Sequence, residues 1–276
     1  MNNADKCVIV SGGFDDIRLP DVRFLQEAAR FGRLNVLLWN DESLRAATGR
    51  NPKFPESERL YFLQAIRYTN KVHLIQQPQT LNEFPLVKDL NPQQWIVRQD
   101  DDTPDIRTFC EKTGLKYRVM SNANLARFPD IDETGQISTS SKKVLVTGCY
   151  DWFHSGHVRF FEEVSELGDL YVVVGHDANI KALKGQGHPM FPQEHRRYMV
   201  ASIRYVTQAL ISTGHGWLDA EPELKRLRPD IYAVNEDGDK PEKQKYCRDN
   251  GIEYVVLKRL PKAGLPRRES TVMRGF

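Results

Sequence analysis

Apolar residues along the chain cluster in short β-branched blocks, and the stretches between them carry helical spacing. Val8–Val10, Asn35–Leu38, Val72–Ile75, Trp95–Val97 and Lys116–Val119 read as strands, with helical stretches near 21–31, 57–68 and 104–113. Val144–Val146, Leu170–Val174, Ala209–Ile211, Ile231–Val234 and Glu253–Leu257 repeat the scheme. Apolar runs without polar alternation are what strands covered on both faces of a parallel sheet require. After His154-Ser155-Gly156-His157 the apolar spacing turns helical, at Val158, Phe161, Val164 and Leu167. Each half therefore predicts an α/β doubly wound parallel sheet, with its ligand crevice at the C-terminal ends of the strands.

The halves are related by a nearly constant offset. At a shift of 136, Gly12 falls on Gly148, Phe14 on Tyr150, Asp15 on Asp151, Arg23 on Arg159 and Gly32 on Gly168. At 137, Phe54-Pro55 meets Phe191-Pro192, Arg59 meets Arg196, Ile66-Arg67-Tyr68 meets Ile203-Arg204-Tyr205, and Cys110 meets Cys247. Matches this dense predict a tandem duplication, with domains at 1–132 and 143–276. The polar segment 133–142 reads as the linker. The copies differ where chemistry would occur: Arg18, Pro20 and Asp21 stand where the second copy has His154, Gly156 and His157. The first copy cannot present paired imidazoles and is expected to keep the fold without the activity.

Composition narrows the function classes. The 276 residues are 40% hydrophobic and 28% charged, with a net charge of +2. That balance is ordinary for a globular protein and predicts no strong attraction to nucleic acid or anionic membrane. No apolar run approaches the ~20 residues of a spanning helix, and the first residues do not form a signal peptide. The four cysteines, Cys7, Cys110, Cys149 and Cys247, form no close pair, as expected of reduced thiols in a cytoplasmic protein. No CxxC or HExxH string suggests a protein-held metal.

The chemistry concentrates where the strand at 144–146 hands over to a helix. His154 and His157 lie three apart and share one side of the first turn. A helix N-terminus offers unpaired N–H groups and the positive end of a dipole, which suit a phosphate. Two imidazoles beside it can donate to phosphoryl oxygens as charge develops. On residues alone, the same pair could be a surface coincidence or half of a metal site.

With its context, TGCYDWFHSGHVRFF (147–161) resembles the HxGH signature of the nucleotidyltransferase superfamily. Within it, the segment is most similar to cytidylyltransferases acting on glycerol phosphate, phosphocholine and phosphoethanolamine. The resemblance implies two tandem Rossmann-like domains forming an internal pseudo-dimer, so that the chain is expected to be a monomer. It also implies transfer of a nucleotidyl group, CMP favoured, from an NTP to a phosphorylated small alcohol or sugar with release of pyrophosphate. Mg²⁺ would arrive with the nucleotide, CTP or ATP. An adenylyltransferase of the ADP-heptose type, acting on a sugar phosphate, stays open, as does a catalytically silent nucleotide sensor.

Carried onto this sequence, the resemblance implies His154, His157 and Lys184 as catalytic residues. It places Gly148, Cys149, Tyr150, Asp151 and Gly156 in the nucleotide-binding loop. Ser202-Ile203-Arg204-Tyr205-Val206 is similar to the family's IRYVDEV segment and favours CTP. Since the first copy keeps Arg59 and Arg67, Arg196 and Arg204 are either nucleotide ligands or structural. Lys262–Thr271 is similar to the RTxGISTT element, so Ser270, Thr271, Arg267 and Arg268 are expected at the triphosphate; an ordinary basic tail is the alternative. Asn235 and Asp237 follow the fourth strand, near the expected base. His176 and Asp177 end the second strand and are assigned to the acceptor, or each is an acidic turn.

Overall fold

The computed structural model describes residues 6–76, 87–126 and 142–273. The chain divides into two compact units, residues 1–130 and 131–276. The expected linker at 133–142 falls, but for Lys142, outside the described residues.

In the first unit, strands β1 (Cys7–Gly12), β2 (Arg33–Trp39), β3 (Lys71–Ile75), β4 (Gln94–Arg98) and β5 (Lys116–Met120) alternate with helices α1 (Leu19–Ala29), α2 (Asp41–Thr48), α3 (Glu56–Ala65), α4 (Pro104–Thr113) and α5 (Asn122–Ala126). All strands pair in parallel, in the order β3-β2-β1-β4-β5. Val8, Ile9, Val10, Leu34, Leu37 and Leu38 are fully or almost fully buried, because both faces of β1 and β2 are covered. Residues 66–68, expected in a helix, lie beyond α3. Ile66 is the extended C-cap of that helix and is itself buried.

The second unit repeats this plan with β6 (Lys143–Gly148), α6 (Ser155–Ser165), β7 (Asp169–Val174), α7 (Asp177–Lys184), α8 (Gln193–Ala201), β8 (Val206–Ile211), α9 (Glu221–Leu227), β9 (Ile231–Asn235), α10 (Pro241–Asp249), β10 (Glu253–Leu257) and α11 (Ser270–Met273). Its parallel order, β8-β7-β6-β9-β10, is that of the first unit. Strand order reverses direction between β6 and β9, and the switch point leaves a crevice at their C-terminal ends. Leu145, Val173, Tyr232 and Val234 bury one sheet face under Ala220, the N-cap of α9, Leu224 of α9 and Cys247 of α10. All four cysteines are free thiols.

Candidate active site at the start of helix α6

The turn between β6 and α6 is shaped by aromatic crowding. Tyr150 sits in the left-handed region at φ 52°, and its ring folds back over β6. A Cβ at Gly148 would lie 2.7 Å from the tyrosine Cζ, so only glycine fits. Asp151 is buried and accepts the backbone N–H groups of Met190 (2.7 Å) and Phe191 (3.0 Å). Its carboxylate ties the loop before α8 to the turn. Arg196, 1% exposed, reaches under the same loop. Its guanidinium donates to the carbonyls of Phe191, Cys149 and Gly175 and to the Asp177 carboxylate, at 2.6–2.9 Å.

The two histidines cap α6 reciprocally. His154 is the N-cap, and its Nδ1 accepts the Gly156 N–H at 3.1 Å. The His157 Nδ1 accepts the His154 N–H at 3.3 Å. With Nδ1 accepting on both rings, Nε2 carries the proton of each neutral imidazole. A Cβ at position 156 would stand 2.9 Å from His154 Cε1 and 3.0 Å from its Nδ1, so Gly156 makes room for the ring to fold onto the helix end. His157 is held by Phe153 stacked on it (centroids 5.2 Å), by Tyr150 edge-on at 5.4 Å, and by His154 at 4.0 Å. Burial first, then His154, Arg259 and Lys184, push the His157 pKa well below that of a free imidazole. His157 is thus held as a neutral donor inside a positive field.

Lys184, expected among the catalytic residues, is the last residue of α7. It also opposes the burial that raises the Cys149 thiol pKa. A cleft partly open to solvent is lined by Ser155, Gly156, Asn235, Arg259, Arg267 and Arg268, among others. Ser270 opens α11, and its Oγ donates to the Trp152 carbonyl at 3.2 Å. The side chain of Thr271 lies outside the described residues.

Some expected residues have other partners. His176 N-caps α7 through Nδ1, and its Nε2 lies 2.8 Å from the Gly214 carbonyl. Asp177 pairs with Arg196 at 2.7 Å. Arg204 is exposed, on the turn between α8 and β8. Arg259 was not among the expected residues. It follows β10 by two positions, pairs with Asp237 at 2.6 Å and donates to the Arg268 carbonyl at 3.2 Å. Its signal in the sequence is a cation just past a strand's C-terminal end, where this fold binds ligands.

Known proteins resemble the chain in sequence. The sequence profile described as "Cytidylyltransferase-like" matches residues 145–256. The "FAD synthase" of Pyrococcus horikoshii is 41% identical over 123 residues, which are 43% of this chain and 80% of that protein. The chain belongs to the cytidylyltransferase-like family. It is therefore an enzyme of the HxGH nucleotidyltransferase superfamily. A second relative of this cytidylyltransferase-like chain is the "Bifunctional protein HldE" of Nitratiruptor sp., 36% identical over 115 residues, 39% of this chain and 24% of that protein. A lipopolysaccharide core biosynthesis protein from Thermoplasma volcanium, known by crystal structure, is 24% identical with a TM-score of 0.37, covering 47% of this chain and 99% of its own.

Among the described residues, no group of three or more His, Cys, Asp or Glu side chains could hold a metal ion. No helix among the described residues is long and apolar enough to cross a membrane.

Proposed function

We propose that the second unit transfers a nucleotidyl group from a nucleoside triphosphate to the phosphate of a small phosphorylated acceptor, releasing pyrophosphate. An acceptor oxygen attacks the α-phosphorus, and the bond to the β-phosphate oxygen breaks as the new P–O bond forms. No covalent enzyme intermediate is needed, so positioning and charge stabilisation supply the catalysis. The observation that carries this reading is the reciprocal cap, which leaves both Nε2–H groups as donors at a helix N-terminus. The His154 and His157 donors stabilise charge on the α-phosphoryl oxygens, while Lys184, Arg259, Arg267 and Arg268 meet the phosphates.

The nucleotide we favour is ATP. FAD is an adenylyl group joined to flavin mononucleotide through a pyrophosphate link, and the relative named FAD synthase shares 41% identity with this chain over 123 residues. CTP is the second reading, supported by the family description. The Ile203-Arg204-Tyr205 segment supports CTP less than its resemblance implies. The first unit keeps it as Ile66-Arg67-Tyr68, and in both units the isoleucine is buried where a helix turns into a strand.

We assign the first unit a structural role, as a degenerate copy of the second. Pyrophosphate release, measured with ATP and CTP against flavin mononucleotide, glycerol phosphate, phosphocholine and a sugar phosphate, tests the reading. Release that depends on one nucleotide and one acceptor supports it; no release with any pair contradicts it.

A further inference from the structure

Residues 258–268 run from the end of β10 to α11 and line the cleft over the start of α6. Two cations of this segment are held by carboxylates from outside it. Arg259 Nη1 meets Asp237 Oδ2 at 2.6 Å, and Lys262 Nζ meets Glu162 Oε1 at 2.8 Å. The acids differ in setting: Glu162 is mostly covered and also binds Arg159, whereas Asp237 is 54% exposed. Asp237 rides on a single turn, 236–238, after β9. That turn is pinned by Lys243, which donates to the Gly238 carbonyl at 3.1 Å. The carboxylate is thus presented to Arg259 by a braced turn.

Arg259 also belongs to the electrostatic site, since it helps depress the His157 pKa. A guanidinium in that place is expected to serve phosphate, yet part of its donor fork is given to a protein carboxylate. Such a half-exposed pair contributes little stability. An arginine–phosphate fork is stronger, so a triphosphate can take the arginine over.

Resting on the functional reading above, we propose that Asp237 holds Arg259 in the nucleotide-free protein and yields it to a phosphate oxygen on binding. Asp237 is a positioning residue acting through Arg259. It orients the guanidinium before the substrate arrives, and its charge beside the bound phosphates limits the grip on pyrophosphate after transfer. No covalent bond changes in the exchange.

Titration calorimetry of inorganic pyrophosphate into the full chain tests the exchange. Asp237→Asn should tighten binding about three- to fivefold, the scale of a lost exposed ion pair. Asp239→Asn removes the same charge two residues away, where the carboxylate instead accepts from Gln244 and Tyr254; it should produce less than half that change. In steady state, Asp237→Asn should lower KM for the nucleotide without raising kcat. Unchanged or weaker pyrophosphate binding in Asp237→Asn would overturn the proposal, and so would equal tightening in Asp239→Asn. A wild-type chain that binds no pyrophosphate would contradict the functional reading itself, a different outcome from binding with the wrong order of variants.

Discussion

The starts of α1 and α6 occupy the same place in two sheets of the same order, and they are filled in opposite ways. At α6, two imidazoles cap the helix through Nδ1, and the proposed function leaves the N-terminus to an outside anion. At α1, the protein supplies the anion itself. The Asp21 carboxylate accepts the Arg18 N–H at 2.7 Å and pairs with Arg98 at 2.6 Å. Beneath these ends the braces are alike. Asp15 accepts the N–H groups of Lys53 and Phe54 as Asp151 accepts those of Met190 and Phe191. Arg59 reaches the carbonyls of Phe54, Gly13 and Trp39 and the Asp41 carboxylate, as Arg196 reaches its own set. Phe14 and Tyr150 share the left-handed backbone, at φ 47° and 52°. What both units keep builds the turn; what only the second has can carry chemistry.

The largest expected effect removes a shared brace. Arg59→Ala or Arg196→Ala leaves a carboxylate partner and several carbonyls without their cation. Each should destabilise its own unit by about 3–5 kcal/mol, read from denaturant unfolding. A brace that mattered in only one unit would break the equivalence.

Next comes the difference between the units. His154→Ala or His157→Ala should lower turnover at least ~10²-fold, since each donor acts mainly on the transition state. Arg18→Ala should leave turnover unchanged. Gly156→Ala should cost about tenfold or more, because the His154 ring must shift from its cap. Near-normal rates in that variant would mean the ring's position is not critical.

A smaller effect follows from protonation. His157 titrates below its unfolded value, so between the two pKa values the unfolded chain binds more protons. Stability from this group is complete above about pH 6.5 and falls as pH drops below it. His157→Gln should flatten that acid limb in thermal melts of the second unit, and an unchanged limb would assign it to another group.

Much of the architecture was readable because parallel strands leave unbroken apolar runs, and α4 begins and ends where its pattern does. Helix α2 was missed because it buries only Ser43 and Leu44 and is set by the Asn40 cap rather than by an apolar stripe. The histidine pair was legible as a motif, but its tautomers depend on backbone contacts that no sequence displays. Asp151 was expected at the nucleotide, although its retention as Asp15 beside a helix lacking the histidines already pointed to a brace. The RTxGISTT resemblance places the arginine a few residues before Ser270 and so does not reach Arg259. The chain makes a longer excursion there and closes it through the Arg259–Arg268 hydrogen bond.

The most direct test of the division between the units is pyrophosphate release by two double variants, each assayed with the wild type's best nucleotide and acceptor. Arg18→Ala/Asp21→Ala should retain the wild-type rate, and His154→Ala/His157→Ala should lose at least ~10²-fold. Loss in the first variant, or retention in the second, would contradict the account.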